Sequence, residues 1–73
     1  MRENKVMTAW HQGQQTVGGW LSIDSAMTAE QMAHVGFDWL CLDMQHGMID
    51  FKAVNHMLPA ISTTETIPFV RVP

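Results

Sequence analysis

Basic residues are scarce in this chain: four Lys and Arg stand against seven Asp and Glu, for a net charge of −3 over 73 residues. Arg2, Lys5, Lys52 and Arg71 are scattered, so there is no basic face from which phosphates could displace counterions, and no nucleic-acid partner is expected. Cysteine occurs once. Cys41 has no internal disulfide partner, and its place within an apolar run makes it a small buried hydrophobe, consistent with a reducing compartment. No apolar stretch approaches the roughly 20 residues that cross a bilayer. The apolar segment VMTAW near the N-terminus is broken by His11 and Gln12, too soon for a signal-peptide core. The expectation is a soluble, cytoplasmic protein with no membrane partner. Repeats, low-complexity tracts, a phosphate-binding glycine pattern, a GxSxG elbow and an HExxH arrangement are all lacking.

What is present is the composition of a core. The chain is 47% hydrophobic and 15% charged, with three Trp, whereas disordered segments are poor in aromatics and rich in charge. At this length a chain buries only about 60% of its unfolded surface, so a stable fold must be compact or borrow surface from elsewhere.

Along the chain, residues 1–15 carry no clean period and end in a polar cluster, which predicts an irregular arm. Residues 16–23, TVGGWLSI, have the β-branched and aromatic content of a strand, with Gly18 and Gly19 pointing to a bend or a close backbone approach. Asp24 or Ser25 can cap a helix, and Thr28 with Gln31 has capping-box spacing; Met32, Ala33 and Val35 form its apolar stripe, and Gly36 is its C-terminal stop. Residues 37–43, FDWLCLD, are nearly apolar on both alternating faces, as in strands covered on both sides, which are mostly parallel ones with helices packed over the sheet. Asp50 can cap a second helix, with Phe51, Val54, Leu58 and Ile61 on one face and a kink or early end at Pro59. Residues 67–72 read as a third strand. The order β-α-β-α-β predicts a parallel α/β sheet. Three strands cannot close a (β/α)8 barrel, which needs eight and about 250 residues, so the chain reads as the opening of a larger domain.

In such architectures the C-terminal ends of the strands gather the functional groups. Asp43 ends the second strand, His46 follows in the next loop, Arg71 ends the third strand, and Ser22 and Trp20 close the first, all on one rim. A histidine can act as a general base near neutral pH, an adjacent aspartate can orient it, and an arginine can clamp an anionic oxygen. Spacing alone leaves another account open, since an Asp three residues before a His is commonly a turn-stabilising acceptor. His11, His34 and His56 read as solvated or helix-surface residues, and the seven methionines as fillers of core gaps.

The blocks GGWLSI, GFDWLCLDMQHGMID and PFVRVP, in this order and spacing, resemble the N-terminal third of the HpcH/HpaI family of class II pyruvate aldolases, over about residues 17–73. The resemblance implies the N-terminal β-α-β-α-β portion of a TIM (β/α)8 barrel, incomplete in this chain, in a whole protein commonly assembled as a homo-hexamer. It implies cleavage of 4-hydroxy-2-oxo acids to pyruvate, or a similar 2-oxo acid, and an aldehyde. A divalent metal (Mg, Mn or Co) would act as Lewis acid, on ligands from later strands rather than from this chain. By motif position, His46 resembles the catalytic base, Asp43 its orienting partner and Arg71 the pyruvate-contacting arginine, with Trp20 and Ser22 as substrate-binding candidates and Gln45 and Gly47 as support. Gln45 stands where the family often has a glutamate, which bears on how Arg71 is held. Lacking the metal ligands, the chain by itself is expected to be inactive. Two alternatives accompany this reading: a noncatalytic interaction or regulatory piece using open strand edges, and a citrate lyase β-type carbon–carbon lyase.

Overall fold

In the computed structural model, which describes residues 4–73, six elements follow one another: α1 Lys5–His11, β1 Gly18–Leu21, α2 Ala26–Ala33, β2 Trp39–Asp43, α3 Phe51–Ser62 and β3 Ile67–Arg71. The strands form one parallel sheet in the order β1-β2-β3, with β2 in the centre. The expected β-α-β-α-β core is therefore present, with strands a residue or two shorter at their ends.

Register decides which side chains meet. Trp20 pairs with Cys41, Leu21 with Leu42, Leu42 with Val70, and Asp43 with Arg71. Paired residues share a face and successive residues alternate, so Leu21, Leu40, Leu42 and Val70 point one way and Trp20, Cys41, Asp43, Phe69 and Arg71 the other. Helices α2 and α3 cover the first face. Their Ala29, Ala33, Ala53, Val54, Met57 and Ile61 join Leu21, Leu40, Leu42 and Ile49 in a single buried cluster.

The helix starts follow the local chemistry that the letters announce. Ser25 Oγ accepts from the Thr28 N–H at 3.1 Å, and Asp50 Oδ1 from the Ala53 N–H at 2.8 Å; each satisfies an amide that the first turn leaves unpaired. Past α2, Gly36 takes φ of +115°, a conformation costly to any residue with a Cβ.

Three expectations need correction. The arm predicted over residues 1–15 contains a helix, capped by Asn4, whose side chain accepts from Val6 and Met7; Arg2 lies outside the described residues. This helix lacks a clear period because it buries only Val6 fully, while Trp10 packs 5.9 Å (ring centroids) from Phe69 in the middle of β3. The expected face of α3 errs at one residue: Val54 and Ile61 are buried and Leu58 packs against the core, but Phe51 is exposed while Ala53 and Met57 are buried, and the helix runs through Pro59 to Ser62 without an early end. Of the methionines, Met57 is buried and Met32 and Met44 pack against the core, but Met7, Met27 and Met48 are exposed rather than filling gaps. Among the described residues no helix is long and apolar enough to cross a membrane.

Candidate active site

Asp43, the last residue of β2, is 3% exposed. A buried carboxylate is costly unless its oxygens are filled by donors, and both are. The Trp20 indole N–H donates to Oδ2 at 3.0 Å, and the main-chain N–H groups of Gln45 and His46 each donate to Oδ1 at 2.9 Å. The carboxyl is held down to about 2, first by the Trp20 bond and then by the His46 main-chain bond, with the Gln45 N–H and the Arg71 charge adding to them against partial burial.

The sharp turn after Asp43 is what brings His46 back to the rim. Gly47 makes it possible: a Cβ there would lie 2.7 Å from the Asp43 carbonyl oxygen and 2.9 Å from both Cα and O of Ser22. The Met48 N–H donates to the Ser22 carbonyl at 2.8 Å, and the Met44 N–H to the Arg71 carbonyl at 3.0 Å. The loop after β2 is thereby tied to the ends of both neighbouring strands.

All five rim candidates are gathered at this end. Arg71 is the register partner of Asp43 and its side chain is exposed, with no hydrogen-bond partner among the described residues. Ser22 lies one residue past β1. The His46 imidazole is 63% exposed, and its Nδ1 lies 3.9 Å from Asp43 Oδ2. That separation is beyond a hydrogen bond. The aspartate thus holds the main chain of His46 rather than its ring, which is the turn-stabilising arrangement the spacing also allowed. Gln45 contributes its main-chain N–H, and its side chain makes no hydrogen bond to Arg71.

The Trp20–Asp43 bond is the feature that motif spacing does not reveal. Twenty-three positions separate the pair, and only the β1–β2 register sets them on one face. Among the described residues no group of three or more His, Cys, Asp or Glu side chains is placed to hold a metal ion; Asp43 and His46 fall short of a ligand set. A cavity of about 400 Å³ lies at the opposite end of the sheet, lined by Lys5, Ala9, Thr16, His34, Asp38 and Thr66 among others, away from these groups.

Comparisons with known proteins relate this parallel sheet, with a histidine, a buried aspartate and an arginine at its C-terminal edge, to part of the chains of aldolases. No family model matches the chain. Yet over nearly its whole length it is similar in sequence and fold to HpcH/HpaI aldolase family proteins. It is 42% identical over 71 residues to a hydroxypyruvate/pyruvate aldolase of Agrobacterium fabrum, covering 97% of this chain and 27% of that protein. It is 36% identical over 69 residues to a 4-hydroxy-2-oxo-heptane-1,7-dioate aldolase of Escherichia coli, covering 94% of this chain and 26% of that one. The crystal structure of an HpcH/HpaI aldolase/citrate lyase family protein from Burkholderia cenocepacia superposes with a TM-score of 0.87 at 39% identity, over 97% of this chain and 29% of its own. The chain thus spans little more than a quarter of these relatives.

Proposed function

We propose that these residues form the proton-transfer and anion-binding part of an aldolase site that interconverts a 4-hydroxy-2-oxo acid with pyruvate, or a similar 2-oxo acid, and an aldehyde. One observation carries the reading. An exposed imidazole, an ionised buried carboxylate and the exposed side chain of Arg71, which has no hydrogen-bond partner among the described residues, lie at the same strand ends, at the edge of a fold shared with aldolases. In the cleavage direction His46 takes the proton of the substrate's C4 hydroxyl. The C3–C4 bond breaks, its electron pair passes to the C2 carbonyl as an enolate, and the aldehyde leaves; the enolate is then protonated at C3 to give the 2-oxo acid. Arg71 presents a planar fork to the carboxylate and the developing enolate oxygen. A divalent ion would need ligands from outside residues 4–73, because the described residues do not make up a site.

The test uses a full-length barrel carrying these residues, assayed for 2-oxo acid release with added divalent metal. His46→Ala is expected to lower kcat by about 10²–10⁴ with an unchanged far-UV circular dichroism spectrum, and Arg71→Ala to raise KM for the oxo acid. Turnover that survives His46→Ala intact removes the histidine from the reaction.

A further inference from the structure

The donor that Trp20 offers is already engaged. Its ring is half exposed on the rim, where an indole N–H would suit a substrate oxygen, but that N–H is directed to Asp43 Oδ2. The same oxygen is the one nearest His46 Nδ1. Oδ1, meanwhile, carries both main-chain bonds that shape the Gln45–His46 turn. A carboxylate held by one oxygen only could rotate, and rotation would release the two amides and move the imidazole with them. Among the described residues, the indole is the one side-chain hydrogen bond that opposes this from the β1 side. Among the described residues, the charged or titratable groups that interact with Asp43 are Cys41 on its own strand, Arg71 on β3 and His46 in the loop.

We infer that Trp20 is a positioning residue, acting on the reaction through Asp43 and the His46 turn instead of through a hydrogen bond to substrate. The inference rests on the aldolase reading of the rim. It assigns the indole a role in the height and orientation of His46, and it leaves the anionic oxygens of the substrate to Arg71.

The experiment combines kinetics with a readout independent of activity, on a full-length barrel carrying these residues. Trp20→Phe keeps an aromatic ring and deletes the donor. It is expected to lower kcat by about tenfold or more, the scale of a hydrogen bond to a charged group, with KM for the oxo acid nearly unchanged. Combined with Asp43→Asn, it should add nothing to the loss that Asp43→Asn causes alone. In ¹H–¹⁵N spectra the indole cross-peak that disappears in Trp20→Phe should shift in Asp43→Asn. A loss carried mainly by KM, or losses that multiply in the double variant, would make Trp20 a direct substrate contact and overturn the inference. So would an indole peak indifferent to Asp43→Asn, a result readable even if Trp20→Phe does not fold, once the Trp20 peak is identified by its absence in Trp20→Leu or by sequential assignment. Failure of the aldolase reading itself shows separately, as His46→Ala without effect.

Discussion

Gly47→Ala is a change of one methyl group with a large expected effect. The added Cβ would sit 2.7 Å from the Asp43 carbonyl oxygen and 2.9 Å from Ser22 Cα and O. All three neighbours are main-chain atoms of strand ends, so no flexible side chain can swing aside. The turn must lift instead, and the first bond at risk is the Met48 N–H to the Ser22 carbonyl at 2.8 Å. Overpacking of this kind costs about 1–3 kcal/mol, and the loss of one such hydrogen bond about 1 kcal/mol. A total of about 2–4 kcal/mol lowers the melting temperature of a barrel of about 250 residues by roughly 4–16 °C. Because the displaced residues flank His46, kcat should fall as well, while KM for the oxo acid, governed by Arg71 on β3, should change little. Calorimetry and steady-state kinetics on the purified Gly47→Ala barrel measure both. A variant with wild-type melting temperature and wild-type kcat would refute the close approach of the two loops and the account of the turn built on it.

Two further outcomes follow from single buried groups. Thr66 is buried, with its hydroxyl 2.7 Å from the Ala33 carbonyl and 3.0 Å from the Phe37 carbonyl; Thr66→Val strands these acceptors at the end of α2 and should destabilise by about 1–3 kcal/mol in urea unfolding, whereas a neutral result would mean that water takes the hydroxyl's place. The Asp43 carboxyl is held at about 2, below its ordinary 3.8, so it contributes stability that is fully present above the ordinary value and is lost as pH falls through the folded one. The urea midpoint should therefore drop on acidification toward that range, and Asp43→Asn should flatten the drop; an equally steep fall in the variant would assign it to other carboxylates.

Much of the fold was legible because its signals are local. The apolar residues on both sides of β2 demand cover on two faces, whatever surrounds them, and Ser25 and Asp50 can satisfy the amides of a first helical turn with their own side chains. Asp43, His46 and Arg71 could be set on one rim from strand ends alone, since direction along a parallel sheet follows from element order. The features that were not legible depend on partners distant in sequence. Helix α1 has too little apolar period to be recognised and is completed by Trp10 meeting Phe69, residues almost sixty positions apart. On α3 the face of Val54 and Ile61 is completed by Ala53 and Met57, which join the core, and not by the larger Phe51, which is exposed.

The same division runs through the candidate site. The letters determined which groups stand at the rim: side-chain chemistry and the order of strands and helices are properties of neighbouring residues, readable without coordinates. Only the tertiary structure decided how those groups are held, with Trp20 rather than the His46 ring bonded to the buried carboxylate. Pairing register, a choice between whole strands, determines which oxygen meets which donor.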